Sequence, residues 1–423
     1  MKIPNSNKTK ILIEKGVRIP NPESVEIGDE VDIERISGEG VSIYTGCKIF
    51  GSSTLILQGS NIGYEGPVTI ENCQIGPEVK LKNGFFKQAV FLNKVSMGLG
   101  SHIREGTILE EESSVAHTVA LKQTILFPFV TLGSLINFCD CFMAGGTDRK
   151  NHSEVGSSYI HFNYTPNQDK ATASLLGDVP NGVMLNKKPI FLGGQGGLIG
   201  PCRLAFGTII AAGTINRKDE LNSGRLIFGG AMKGGSIPFT PGMYRSEKRI
   251  VKNNIIYIAN LMALLQWYNY VRSMFISHDF PQSLLDGLKE KLNMAIEERL
   301  KRLGELCLKM PDPEIGKETS DILMRQKNEL RDRWSEMEEA FKVNKIKKGD
   351  LSLRDKFLET INRGIKMSGN NYIPVIKSLS VENATQGTKW LQGIVDNITA
   401  QIIEIIPSFD SSATKTQRLK GRI

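Results

Sequence analysis

The chain has 423 residues, 53 Lys and Arg against 45 Asp and Glu, a formal net charge of +8 and 40% hydrophobic residues. That balance excludes a wholly disordered chain. A modest positive charge admits anionic ligands without demanding nucleic acid, and none is expected as a partner. At roughly 150 residues per domain the length points to two or three domains. The longest apolar stretch, Ile255 to Tyr268, carries Asn260 and Gln266 and falls short of the about 20 residues a bilayer span needs. No membrane span is therefore expected. The opening MKIPNSNKTK has no apolar h-region, which argues against a secretory signal. Six cysteines, of which only Cys139 and Cys141 lie close together, form neither a disulfide framework nor a convincing metal set. Reduced thiols and a cytoplasmic location are expected, with no metal.

Glycine divides the chain, since 32 of the 42 lie before residue 241. Short units recur there, each an aliphatic residue, a glycine, two variable residues and another small or aliphatic one. Examples are Ile27-Gly28-Asp29-Glu30-Val31, Ile75-Gly76-Pro77-Glu78-Val79, Met97-Gly98-Leu99-Gly100-Ser101, Leu192-Gly193-Gly194-Gln195-Gly196 and Ile199-Gly200-Pro201-Cys202-Arg203. Some neighbours stand near multiples of six apart, which is the hexapeptide beat of a parallel β-helix. The aliphatic residue points inward and stacks on its equivalent one coil on. The glycine sits where a Cβ would clash at a tight corner. A β-sandwich would instead alternate over strands of about 5–6 residues between turns every 8–12. The spacing itself says nothing of handedness.

The expected architecture is a parallel β-helix over residues 1–235 followed by an α-helical domain over 245–423. The boundary falls in the Pro- and Gly-punctuated stretch 234–248. Ile255 to Phe275 reads as a buried helix. Leu284, Leu285, Leu288, Leu292, Ile296, Leu300 and Leu303 keep helical spacing in a second, which Pro311 and Pro313 stop. Ile322 to Phe341 and Thr388 to Ile406 are two more. The basic tail from Lys415 reads as a solvated end. The helices are expected to form a packed domain, to widen an oligomer interface, or to cap the open end of the coil stack.

Only five histidines exist, His102, His117, His152, His161 and His278. Two of them, His152 and His161, fall in the most polar part of the first half. Arg149 and Lys150 bring positive charge beside them, and Asn163, Tyr164, Asn167 and Gln168 bring hydrogen-bonding groups. Such a set fits a site that holds an anionic, hydroxyl-rich molecule beside a base. A polar external loop with incidental histidines is the plainer alternative.

The segment Gly156-Ser157-Ser158-Tyr159-Ile160-His161-Phe162-Asn163-Tyr164 resembles a Gly-Ser-x-x-x-His-x-x-Tyr stretch of the left-handed β-helix (hexapeptide-repeat) acyltransferases. Within them it is most like the acetyltransferase half of the bifunctional N-acetylglucosamine-1-phosphate uridyltransferase/glucosamine-1-phosphate acetyltransferases. Leu-Gly-Asp at 176–178, Phe191 to Pro201, and Gly207 to Thr214 with its Ala-Ala-Gly-Thr extend the likeness over about residues 145–220. The resemblance implies left-handed winding, a homotrimer, acetyl-CoA as co-substrate and an amino-sugar or sugar-nucleotide ligand. It implies His161 as the general base that takes a proton from the sugar amine. It implies Arg149, Lys150, Asn163, Tyr164 and Lys170 as substrate-binding residues. Gly194 and Ala212 match positions where coil backbone meets the cofactor, and Arg217 and Lys218 would meet its phosphates. A second register aligns Asn163-Tyr164 to a later Asn-Tyr pair of the family and makes His152 the nearer base. Both registers stay open.

The chain also departs from that pattern. No glycine-rich nucleotide loop opens it, one coil is shortened between residues 150 and 165, and an insertion at 179–190 is positioned to cover the site. Gly194 stands where a serine is typical, and the helical half has no counterpart. Two other functions compete. A zinc enzyme of the γ-carbonic-anhydrase type needs three histidines with a tight pair, which the sequence lacks. A catalytically silent trimeric scaffold would use the helices to bind a partner.

Overall fold

A computed structural model describes residues 5–229, 236, 238, 246–309 and 321–410. Residues 26–227 wind into a parallel β-solenoid of thirty short strands. All but two of these, a hairpin pair at Gly146–Asp148 and Asn151–His152, stack into three parallel sheets of ten, eight and ten strands. Each coil contributes one strand to each sheet, so the cross-section is a triangle. Such winding is consistent with the left-handed β-helix expected from the resemblance. Most of the expected boundary segment, and the Pro311-Pro313 helix stop and the basic tail, lie outside the described residues.

The corners have their own chemistry. Between two of the sheets Gly100, Thr118, Leu135, Ser158, Gln195 and Gly213 all adopt left-handed backbone conformations, one per coil. Most of these are not glycine. The glycines of the repeated units answer a different constraint. A Cβ on Gly98 would lie 2.6 Å from the Ala116 backbone carbon, and one on Gly193 would lie 2.3 Å from the Ala212 nitrogen. Close approach of successive coils, not the dihedral, selects glycine there.

The three faces differ in what they point outward. On the first, Glu26, Lys48, Thr69, Phe85, His102, Ala120, Asn137, Ile160, Gly197 and Ile215 form one register row. We call it the histidine face. On the second, Ser42, Asn61, Lys80, Ser96, Ser114, Thr131, Glu154, Phe191, Ile209 and Leu226 form the row of the serine face. The third has the row Leu55, Gln74, Val90, Ile108, Ile125, Phe142, Leu175 and Arg203. Its first seven members are buried although they point away from the coil interior, because helices cover them. This is the capped face.

Eight helices accompany the solenoid among the described residues: α1 (Asn5–Glu14), α2 (Val179–Gly182), α3 (Glu247–Tyr270), α4 (Gln282–Lys309), α5 (Asp321–Lys345), α6 (Leu351–Ser368), α7 (Tyr372–Lys377) and α8 (Val381–Ile405). No described helix is long and apolar enough to cross a membrane. α1 seals the first coil, where Lys8 Nζ donates to the carbonyls of Gly28, Asp29 and Val31 at 2.7–2.9 Å. That end of the stack would otherwise be an exposed strand edge. The C-terminal helices cap a flank and not the open end. α3, buried on nearly all sides, sits between α8, α4 and the solenoid. Its asparagines fasten it: Asn254 Nδ2 donates to the Ala171 carbonyl at 2.8 Å, and Asn260 Oδ1 accepts from the Val179 amide at 2.9 Å. Burying each large side chain of the covered row contributes about 1.5–3 kcal/mol.

Candidate active site

The residues singled out from the sequence lie at three different corners of the triangular coil and beneath one face. His161 is on strand Ile160–Phe162 of the histidine face, pointing inward. It pairs in register with Leu198 and stands beside the Phe138 ring, 6.3 Å between centroids. It is 2% exposed. Nδ1 is 2.6 Å from the Cys139 carbonyl and Nε2 is 2.8 Å from Ser174 Oγ. Ser174 Oγ in turn accepts from the Cys202 amide at 3.0 Å. Burial, only partly offset by Asp140 and by the Cys139 carbonyl, pushes the imidazole pKa down to about 4. His161 is thus a neutral interior group with both ring nitrogens engaged, and not an imidazole beside an open cleft.

Arg149, Lys150 and His152 occupy the hairpin at 146–152, where the capped face turns into the serine face. Arg149 is spent on structure, since Nη1 donates to the carbonyls of Glu112 and Phe129 and to Thr131 Oγ1, all within 3.0 Å. His152 Nδ1 lies 2.9 Å from the Arg149 carbonyl and Nε2 lies 3.6 Å from Glu154. Lys150 is exposed. The insertion at 179–190 runs from the helices to the base of this hairpin: the Pro180 carbonyl accepts from Thr388 Oγ1 at 3.0 Å and the Lys187 carbonyl accepts from the Gly146 amide at 3.0 Å, while Arg149 and Lys150 stay exposed.

Asn163, Tyr164 and Lys170 lie at the corner between the histidine and capped faces. Asn163 Nδ2 donates to Asp140 Oδ2 at 2.9 Å. Asp140 Oδ1 meets Arg299 Nη2 of α4 at 2.7 Å, with both side chains almost fully buried. Arg299 Nη1 reaches the Lys170 carbonyl at 3.4 Å, and Lys309 Nζ reaches the Gln168 carbonyl at 3.1 Å. Helix α4 therefore grips the loop, while the Tyr164 ring stays more than half exposed under Lys170 Nζ, 5.8 Å from its centroid. Arg217 and Lys218, which follow strand Ile215–Asn216, stand at the same corner.

Gly194 and Ala212 lie at the remaining corner. Backbone bonds from Leu135 to His117, Ser158 to Ser134, Gln195 to Ser157 and Gly213 to Gly194 set one column, His117–Ser134–Ser157–Gly194–Ala212, one residue per coil. Strands stack at about 4.8 Å, so His117 is roughly 14 Å from Gly194. His117 is exposed, and its Nδ1 lies 2.8 Å from Ser134 Oγ. Sequence spacing hides this alignment because 23 residues separate Ser134 from Ser157 and 37 separate Ser157 from Gly194.

Together these residues frame one strip on the histidine face over its last coils. Its floor is apolar and open: Ile160 is 43% exposed, Phe162 41% and Ile215 38%. Gly197 lies under the Phe162 ring, where a Cβ would clash at 2.6 Å. One rim is bare backbone at Gly194 and Ala212. The other is polar, with Tyr164, Lys170, Arg217 and Lys218. His152, Arg149 and Lys150 are not part of it. Among the described residues no group of His, Cys, Asp or Glu could hold a metal ion, and all six cysteines are free.

The class of protein is set by these features: a parallel β-solenoid of hexapeptide type with a helical C-terminal region. About half the chain is similar to the bifunctional protein GlmU of several bacteria. It is 28% identical to that of Thermotoga maritima over 213 residues, 50% of this chain and 42% of that protein. It is 29% identical to that of Fervidobacterium nodosum over 211 residues, 50% and 41%, and 25% identical to that of Pelobacter propionicus over 209 residues, 49% and 40%. The chain thus spans about two fifths of the length of these curated relatives. No family model matches it.

Proposed function

We propose that the protein is an acetyl-CoA-dependent acetyltransferase acting on an amino-sugar phosphate or a nucleotide-linked amino sugar, as a soluble cytoplasmic homotrimer. The observation that carries the reading is the strip on the histidine face. Its bare rim at Gly194 and Ala212 leaves room for a pantetheine arm, since neither residue projects more than a methyl group. Its floor suits an apolar chain, and Arg217 and Lys218 supply cations for phosphates. Tyr164 and Lys170 suit the sugar and its phosphate.

In the reaction, the sugar nitrogen attacks the thioester carbonyl, a base takes the amine proton, and the CoA sulfur leaves with a proton returned to it. Backbone N–H groups at a coil corner can stabilise the developing oxyanion. His161 has no solvent-facing nitrogen for the proton, and His152 sits at another corner. His117 is an exposed imidazole on the same edge, three coils or roughly 14 Å from Gly194, and takes the role where the pantetheine arm runs along that edge to bring the thioester to it. A positioned base contributes roughly 10²–10⁴-fold.

Threefold association is supported by the exposed apolar residues of the last coils. Phe191, Ile209 and Leu226 continue the serine row that begins with Ser42 and Asn61. Light scattering should give three times the 46.8 kDa chain mass.

The test is calorimetric binding of acetyl-CoA and transfer to glucosamine-1-phosphate or a UDP-linked amino sugar. Ala212→Trp, at an exposed position, should abolish binding. His117→Ala should cut turnover by about 10²-fold or more with binding kept, and Lys170→Ala should raise the sugar KM. No binding of any CoA species would sink the proposal. The scaffold reading would then stand, favoured by the sealed His161 and by the buried Asp140–Arg299 pair at the loop.

A further inference from the structure

A cavity of about 290 Å³ lies between the solenoid and the helices, away from the strip. It opens where the capped face turns into the serine face, on Asn93, Glu111 and Glu112, and its opposite wall is Arg272, Phe280 and Tyr372. Arg272 is 1% exposed. Its guanidinium lies between two rings, 3.8 Å from the Tyr372 centroid and 4.4 Å from that of Phe280. Nη2 is bonded to Glu111 Oε1 at 2.5 Å. The other donors, Nε and Nη1, have no partner among the described residues, nor do Glu111 Oε2 and Asn93 Oδ1, and all four atoms are buried.

Unmade bonds at buried polar atoms are costly, and more so for charged groups. A ligand of this cavity must therefore give and accept hydrogen bonds at neighbouring points. A simple anion would be drawn to Arg272 and Lys94 but opposed by three carboxylates, Glu111, Glu112 and Asp279, which leave the lining net negative. A simple cation would leave the Arg272 donors unmet. Hydroxyl groups serve both sides, since each can accept from guanidinium and donate to carboxylate or amide oxygen. Aromatic faces beside such groups suit the apolar face of a sugar ring. The volume, at the small end of ligand sites, suits a single ring.

We propose that this cavity is a binding site for a monosaccharide, uncharged or bearing an ammonium group, held by Arg272, Glu111 and Asn93 against Tyr372 and Phe280. The site does not depend on the acetyl-transfer reading. It lies at a different corner from the strip, and both its residues and its test are separate.

The test is calorimetric titration of the full chain with D-glucose, D-mannose, D-galactose, D-glucosamine and N-acetyl-D-glucosamine, with inorganic phosphate and L-serine as contrasts. At least one sugar should bind saturably, and Asn93→Ala should weaken it at least tenfold with an unchanged melting temperature. Arg272→Gln should abolish it. If Arg272→Gln fails to fold, the Asn93→Ala titration decides alone. The proposal is overturned if no sugar binds below 10 mM, the working bound for saturable binding of a small polar ligand on the affinity scale. It is equally overturned if phosphate or L-serine binds better than every sugar, or if Asn93→Ala leaves sugar binding unchanged.

Discussion

The capped face and the histidine face are built from the same repeat, yet they end in opposite environments. In the capped row Val90, Ile108, Ile125 and Phe142 stand where the histidine row has Phe85, His102, Ala120 and Asn137. The first set is buried by α3, α4 and their neighbours, whereas the second meets solvent. The inward rows of both faces are apolar over these coils, and the histidine face turns polar inside only further along, at His161 and Asn216. A hexapeptide solenoid thus has three interchangeable outer surfaces, and the outward row decides which carries a helical cover and which stays open for a ligand or a second copy. Polar groups at the seam between cover and coil fix the helices in place, while the outward row of the open face makes surface contacts only, such as the Lys48–Glu26 ion pair and the stacked Phe85 and His102 rings. Substitutions should therefore be costly at the seam and nearly silent on the open strip.

The largest effect is expected at the Asp140–Arg299 pair, which joins α4 to the coil with both side chains buried. Arg299→Met should cost about 3–5 kcal/mol in urea unfolding, because it strands a buried carboxylate. The double variant with Asp140→Asn should recover most of that loss. A single-variant cost below about 1 kcal/mol would mean that the pair is hydrated and the seam loose.

His161 gives the next effect, from inside the open face. Burial lowers its pKa to about 4 in the folded state, against about 6.5 in the unfolded chain. Between those values the unfolded state binds more protons. The stabilising share is complete above about pH 6.5 and drains as pH falls towards 4, up to about 3 kcal/mol. His161→Gln, which keeps hydrogen-bonding capacity, should flatten the difference in unfolding free energy between pH 7 and pH 4 by that amount. An unchanged pH profile in the variant would show that the imidazole reaches water.

At the seam again, Asn260→Ala leaves the buried Val179 amide without the oxygen it donates to. The expected loss is about 1–3 kcal/mol, read as a lower urea midpoint with an unchanged slope.

Much of this contrast was legible in the sequence, because inward aliphatic residues and tightly stacked glycines such as Gly98 and Gly193 impose a six-residue beat. Four helices were legible, at Ile255–Phe275, Leu284–Leu303, Ile322–Phe341 and Thr388–Ile406, although the first and last begin earlier than their apolar stretches, at Glu247 and Val381. Others were not. α1 has a weak apolar stripe and is held by Lys8, a residue that reads as surface. α6 and α7 are short on long-range signal, and left-handed corners at Leu135 and Phe129 carry no compositional mark. The site was legible as a set of residue types but not as a place. Period-two alternation along Ile160-His161-Phe162 sends the histidine inward and its neighbours out, and a one-residue difference reverses that assignment. The hairpin at 146–152 and the excursions at 163–173 and 177–190 break the beat between neighbouring coils. Sequence proximity of His152, Arg149 and His161 therefore says little about spatial proximity, while His117 and Gly194, 77 residues apart, share an edge.

The smallest stability effect should come from the strip itself. Ile215 is 38% exposed and in register with Gly197, so Ile215→Ser removes a partly hydrated side chain and should shift unfolding by less than about 0.5 kcal/mol. The same substitution places a hydroxyl in the floor proposed to hold the pantetheine arm, and acetyl-CoA affinity should fall by about tenfold, or 1.4 kcal/mol. A surface whose apolar residues are idle would show neither change. A surface that serves only self-association would lose trimer without losing cofactor, which light scattering beside calorimetry separates. Stability indifference combined with a binding loss is the pattern expected where an outward row is kept for a ligand and not for the fold.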